Sequence, residues 1–240
     1  MQAQQLGWSR TSLKSDHLLQ APDSFVRAPL PGMEKCTGII HAGPALGARF
    51  TEYTAEMEAG GTLGPTTAQR FFYVLRGRIK TATGSVGAGG YGFIPQGESH
   101  QILAAKATQL VVIEKLYQAI ADAAPKAFNG NVADVDSQPL MGDASVLVQA
   151  LIPDAPEFDF AVNLMTFMPG AALSMVEMHI MEHGLMMLEG GGIYRLGDHW
   201  YPVTAGDFIW MAPYCPQWFG AVGKTPAKYL IYKDWNRHPL

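Results

Sequence analysis

The stretch that decides the fold runs from Gly170 to Phe219: GAALSMVEMHIMEHGLMMLEGGGIYRLGDHWYPVTAGDFIWMAPYCPQWF. It passes through Glu177, His179 and His183, reaches a glycine triple at Gly190 to Gly192, and continues through Gly206-Asp207 and Pro213 to Gln217. Gly and Pro at this density interrupt helices and serve turns, so the run reads as short strands joined tightly. His179 and His183 stand at i and i+4, which on a helix would share one face, as in metal-binding HExxH helices. Gly184 follows His183 directly, and Leu185 to Leu188 is too short for a stable helix before the glycines. On a strand, Glu177 and His179 point to the same side and Met178 to the other. Four residues of straight strand span about 13 Å, too far for two ligands of an ion bound at about 2 Å. The chain must therefore turn between the histidines, so that His183 opens the next strand. Gln217 follows a turn-strand-turn sequence that brings a later strand back beside the first two.

Working outward, a second segment runs parallel to this one. Tyr53 to Tyr117 and Leu164 to Trp235 each carry an early Gly, a hydrophobic strand ending in Leu-x-Gly (Leu75 to Gly77, Leu188 to Gly190), a Gly-rich turn and a further strand. Each closes on an apolar run, Val111-Val112-Ile113 and Tyr229-Leu230-Ile231-Tyr232, rich in the β-branched and aromatic residues that strands prefer. The chain is thus read as a duplicated set of short strands, with domains at 1–135 and 136–240. Between the repeats, Gln118 to Asp159 reads as a linker. Ala119 to Ala124 forms a helical turn in it, Pro139, Pro153 and Pro156 break the rest, and an opening strand lies near Ser145 to Leu151.

Composition supports the all-β class and narrows the partners. The 240 residues hold 26 Gly, 16 Pro and 25 aromatics, with 48% hydrophobic and 16% charged, enough for a sizeable core. A net charge of -4 with dispersed Lys and Arg argues against nucleic acid, which needs a basic face. The N-terminus is polar and no stretch approaches the roughly 18 to 20 apolar residues of a membrane helix, so the expected home is cytoplasmic and the expected partner a small molecule. Cys36 and Cys215 are too few and too far apart for a disulfide framework and read as unpaired thiols.

Glu177, His179, His183 and Gln217 offer two imidazole nitrogens and two oxygens, a borderline-to-hard set that suits Mn²⁺, Fe²⁺ or Zn²⁺ alike. Other conspicuous residues take plainer readings. The methionines 175, 178, 181, 186 and 187 read as adaptable packing, Asp207 as stabilising its own turn, and Glu182 and Glu189 as solvated or capping by parity. No partner is identified for His41, His199 or His238.

The pattern Gly170-x6-Glu177-x-His179-x3-His183-x6-Gly190, followed by Gly206-Asp207 and Gln217, resembles the two cupin motifs, which form a double-stranded β-helix jelly roll around a metal. Glu177 stands at the first His position of those motifs, His183 at the Glu position and Gln217 at the last His position. That permuted set is similar to the (S)-ureidoglycine aminohydrolases, bicupins with Glu, His, His and Gln around Mn²⁺. The resemblance covers nearly the whole chain and is densest from Phe158 to Arg237. It implies two jelly-roll barrels in tandem and release of ammonia from (S)-ureidoglycine in purine and allantoin breakdown. It further implies substrate contacts at Tyr194, Tyr229 and Lys233. An ammonium near a metal and low-polarity walls has a lowered proton affinity, so Lys233 is read as recognising a carboxylate or moving a proton, and Lys233 and Glu177 are taken as the catalytic residues. The N-terminal half keeps Pro95-x-Gly97-x2-His100 but has Thr66 and Arg70 at ligand positions, and is expected to be a metal-free barrel that stabilises the other. Cupin sheet faces often pair, so a homo-oligomer is expected. A cupin dioxygenase or isomerase, or a non-enzymatic binding bicupin, stays open beside this reading.

Overall fold

Alternation of inward apolar and outward polar residues builds this chain almost entirely from strands. The computed structural model describes residues 9–98, 101–119 and 124–235, and among them are twenty strands, three short 3-10 turns and no α-helix. The expected all-β duplication is what the strands form.

Two compact units divide the chain, and the division is not a single cut. The first to be described takes residues 26–136 and 151–159. Its strands are β3 (Met33–Ala42), β4 (Thr51–Leu63), β5 (Gln69–Arg76), β6 (Arg78–Thr81), β7 (Gly84–Gly87), β8 (Gly90–Ile94), β9 (Ile102–Ala104), β10 (Thr108–Lys115) and β11 (Phe128–Asn131). They join in one sheet in the order β11-β8-β5-β10-β4-β9-β6-β7, with β3 on β4. Long β4 carries β3 along one edge for nearly its whole length, with β10 along the first half of the other edge and β9 at its end, so the sheet curls round on itself. Its inner face packs Tyr53, Ala55, Phe72, Val74, Leu110 and Val112.

The second unit gathers residues 9–25, 137–150 and 160–235. Its larger sheet contains β1 (Ser12–Leu13), β2 (His17–Gln20), β12 (Gln138–Leu140), β13 (Asp143–Ala150), β14 (Phe160–Phe167), β15 (His183–Glu189), β18 (Phe208–Met211) and β20 (Ala227–Asp234), in the order β1-β2-β18-β15-β20-β14-β13-β12. A three-stranded sheet of β16 (Gly191–Leu196), β17 (His199–Thr204) and β19 (Gln217–Ala221) faces it. The shared core holds Met165, Phe167, Leu185, Met187, Tyr229 and Ile231 from one sheet with Tyr194, Leu196 and Phe219 from the other. Each such fully buried side chain contributes roughly 1.5–3 kcal/mol.

Two segments cross the division expected after residue 135. Residues 9–25 complete the C-terminal unit, because β2 pairs with β18 and Arg10 reaches Asp207. Residues 151–159 return to the N-terminal unit, where Asp159 meets Lys115 and Gln69. The segment read as linker is also richer in strand than expected: β11 pairs with β8, and β12 precedes the opening strand β13. The helical turn expected over Ala119 to Ala124 falls mainly on residues 120–123, outside the described residues.

The duplication extends to register. A bulge separates Gln109 from Leu110 opposite β5, and a matching one lies between Met187 and Glu189 opposite β20. Gly77 and Gly190 follow at φ 93° and 65°, and a Cβ on either would meet a carbonyl oxygen at 2.5 Å, Ala107 O and Pro226 O respectively. Both the conformation and the space demand glycine.

Arg10 ties the N-terminal segment to the core. Its guanidinium holds both carboxylate oxygens of Asp207, at 2.5 and 2.7 Å, and Asp207 is fully buried. Asp207 also accepts from Thr204 N at 2.8 Å, the turn role read from sequence, so it serves two partners. Arg10→Ala strands most of a buried carboxylate and is expected to cost about 2–3 kcal/mol in urea unfolding. Arg10→Lys is expected to recover only part, since an ammonium cannot grip both oxygens.

Candidate metal centre

Residues 171–182 cross the mouth of the C-terminal barrel outside any regular strand. They touch the small sheet at two isolated bridges, Ala172 to Gly220 and Glu177 to Gln217. Glu177-Met178-His179 is therefore not the strand that spacing suggested. The sidedness survives, since Glu177 Oε2 lies 3.1 Å from His179 Nε2 while Met178 is 64% exposed. The expected turn also occurs, and His183 is the first residue of β15. Its ring lies 5.4 Å from that of His179, nearly perpendicular.

Gln217 opens β19, and its backbone exchanges both hydrogen bonds with Glu177 at 2.8 Å. That pair places residues forty positions apart side by side. The other candidates come from the barrel strands. Tyr194 sits on β16, one strand over from β19, and its hydroxyl donates to Gln217 Oε1 at 3.3 Å. Tyr229 and Lys233 lie on β20, where Lys233 is paired in register with His183.

All seven of these side chains line one cavity of about 270 Å³. Its remaining walls are apolar, from Met165, Leu173 and Ile231, with Leu140 and Met141 of the β12–β13 hairpin and Trp235 also contributing. Burial sets the charges here. It pushes His183 down to about 3, helped by the charges of Lys233 and His179, so the ring is neutral. His183 Nδ1 bonds Tyr232 O at 3.3 Å, which leaves Nε2 as the lone-pair nitrogen. Desolvation lowers Lys233, partly offset by Glu177, and raises both tyrosines well above their ordinary value. The tyrosines are thus fixed as neutral hydrogen-bond donors.

The donor chemistry fits a divalent cation: two imidazoles, a carboxylate and an amide oxygen around one cavity. Glu177 and His179 touch at 3.1 Å but form no triple with His183 whose ligand atoms all lie within 4.8 Å of one another; among the described residues that triple is Asp16, His17 and Cys215. Both ring nitrogens of His17 are already engaged there, Nδ1 with Asp16 at 2.8 Å and Nε2 with Tyr201 at 2.9 Å. That cluster is a satisfied buried histidine that anchors the N-terminal segment.

Glu182 is buried and accepts from Trp210 Nε1 at 3.3 Å, so it is not solvated, whereas Glu189 is exposed and meets Lys228. Parity misled because residues 178–182 are not extended strand. Met186 and Met187 are core and Met181 lines the cavity, but Met175 is 63% exposed, as Met178 also is. His41 bonds Thr54 at 2.8 Å, and His199 packs against His17 and Tyr201. Both cysteines are free and buried. In the N-terminal barrel Thr66 accepts from Ala68 N, while Arg70 pairs with Glu114 at 2.6 Å. His100, Arg237 and His238 lie outside the described residues. Sequence reasoning missed Asn163, Met165 and Trp235, although the alternation of β14, FAVNLMTF, sets Asn163 and Met165 on the same inner face.

The cupin domain family matches residues 163–232. A protein of Oryza sativa subsp. japonica named probable (S)-ureidoglycine aminohydrolase is 40% identical over 98% of this chain and 78% of its own length. The chain belongs to the (S)-ureidoglycine aminohydrolase family. A member from Escherichia coli (strain K12) is 31% identical over 91% of this chain and 88% of its own. The crystal structure of protein Ylba from E. coli superposes with a TM-score of 0.85 at 29% identity, covering 99% of this chain and 98% of that one. The family's bicupin fold is thus the fold of this chain.

The neutral His183 has a thermodynamic consequence. Its folded-state value lies below the unfolded value near 6.5, so the unfolded chain binds the extra proton between those limits. In metal-free protein, stability is expected to fall as pH drops from 6.5 toward 3, by up to about 1.4 kcal/mol per unit on this account. His183→Gln should reduce that slope and leave the share that buried His41, likewise pushed down to about 3, contributes, measured as urea midpoints at pH 7 and 5 in chelator.

Proposed function

We propose that this protein hydrolyses (S)-ureidoglycine to (S)-ureidoglycolate and ammonia, with Mn²⁺ held by Glu177, His179, His183 and Gln217. The observation that carries the reading is the convergence of those four donors with Tyr194, Tyr229 and Lys233 on one cavity, in a chain of this family. A divalent cation supplies Lewis acidity toward the bound substrate and fixes which bond breaks.

The protein's own groups do the rest. Lys233 receives the substrate carboxylate, and the apolar walls around it strengthen that attraction. Tyr194 and Tyr229, held neutral by burial, donate to the ureido or carboxylate oxygens and cannot serve as bases at neutral pH. The bond between the central carbon and the amine nitrogen breaks, while the ureido nitrogen's lone pair forms C=N. The amine leaves with an added proton as ammonia, for which Lys233, its proton affinity lowered by burial, is the donor. Water then adds its oxygen to the same carbon and gives up a proton to the Glu177 carboxylate in this reading, and exchange with solvent returns a proton to Lys233 and removes one from Glu177. One water is consumed for each ammonia released.

Ammonia release from freshly prepared (S)-ureidoglycine with Mn²⁺ tests this directly. Glu177→Ala and Lys233→Ala are each expected to lower the rate at least about a hundredfold. An intact, metal-loaded protein that releases no ammonia would remove the assignment. A cytoplasmic homo-oligomer is part of the same proposal, and light scattering of the purified protein in solution is expected to give a mass above that of one chain. No described helix is long and apolar enough to cross a membrane.

A further inference from the structure

The two barrels place three inward-facing side chains at equivalent positions, and one of them is a carboxylate in the first barrel and an ammonium in the second. Aligning the two bulges matches Val74 with Met187 and Leu110 with Tyr229. Arg70 then stands at the position of His183 and Glu114 at that of Lys233. On the neighbouring strands, Tyr53 faces Val112 as Asn163 faces Ile231, so Tyr53 and Asn163 are also equivalent.

In the N-terminal barrel the trio closes on itself. Glu114 Oε1 accepts from Arg70 Nε at 2.7 Å and from Tyr53 at 3.0 Å, and Arg70 Nη1 donates to Gly64 O at 2.9 Å. Each charge there is neutralised by the other. In the C-terminal barrel Asn163 faces the ammonium instead. With its amide oxygen turned to β20 it accepts from Lys233 Nζ at 3.1 Å, while its nitrogen donates to Val162 O at 3.1 Å. An ammonium only donates, so this amide orientation alone satisfies both ends.

We infer that Asn163 is a positioning residue that sets specificity for an anionic substrate: it holds Lys233 with a neutral acceptor and leaves the ammonium charge available. A long lysine side chain loses up to about 2 kcal/mol of rotamer freedom when fixed, and the amide bond makes part of that loss before substrate arrives. A carboxylate in the same place would form an internal ion pair, as Glu114 does with Arg70, and compete with the substrate carboxylate. The inference rests on the proposed role of Lys233 as the carboxylate-binding group.

The test uses N-carbamoylglycine, which has the ureido and carboxylate groups but lacks the leaving amine. Its binding is measured by calorimetry on intact, Mn²⁺-loaded protein, alongside kcat and KM for (S)-ureidoglycine. Asn163→Asp is expected to weaken binding at least about tenfold and to raise KM by a similar factor with a smaller effect on kcat. Asn163→Ala should weaken it less, by roughly threefold, since it frees the lysine without neutralising it. Thermal midpoint and metal content identify any variant that fails to fold, in which case Asn163→Ala carries the test. If Asn163→Asp binds like wild type while Lys233→Ala does not, or if the alanine variant is the weaker binder, the inference is overturned alone. If Lys233→Ala also binds like wild type, the reading of Lys233 falls and the inference falls with it.

Discussion

The candidate site depends on two backbone hydrogen bonds. Glu177 and Gln217 exchange N–H and C=O at 2.8 Å, and this bridge fastens an irregular segment to the first residue of a strand. Without it the 171–182 segment has neither a helix nor a ladder of its own to direct its side chains. With it, Glu177 and His179 face the cavity from one side, and Gln217, His183 and the β20 residues face it from the others. An irregular segment is tolerable here because its backbone groups find partners, among them His179 O, which accepts from Tyr214 N at 2.6 Å.

The barrel beneath supplies what the bridge cannot. Side-chain parity on β14, β15 and β20 turns Asn163 and Met165, His183 and Leu185, and Tyr229, Ile231 and Lys233 to one interior. The same strands thus pack the core at one end and present polar groups at the other. Burial then sets the chemistry of those groups, keeping His183 neutral, the tyrosines protonated and Lys233 less basic than in water.

The N-terminal barrel is instructive by contrast. Its equivalent strands carry the same bulge, the same glycine after it and the same inward positions, yet an arginine and a glutamate there satisfy each other. Both units keep a cavity at these positions, about 290 Å³ in the N-terminal one and 270 Å³ in the C-terminal one, but the first is lined by an internal ion pair and the second by His183 and a lysine with no carboxylate at the equivalent position. Duplication preserves the scaffold while the side chains at a few positions decide what it does.

Much of this was legible in the chain itself. The all-β class followed from turn residues and alternation, the duplication from matching Leu-x-Gly segments, and the turn before His183 from the length of an extended residue. These are local or periodic properties, and local sterics determine them. Tertiary structure decided what local rules cannot reach: that residues 9–25 complete the C-terminal barrel, that Glu177 sits on a bridge and not a strand, that Glu182 is buried, and that Asn163 touches Lys233. Each depends on partners distant along the chain, and pairing between distant strands is selected by the packing of the whole sheet.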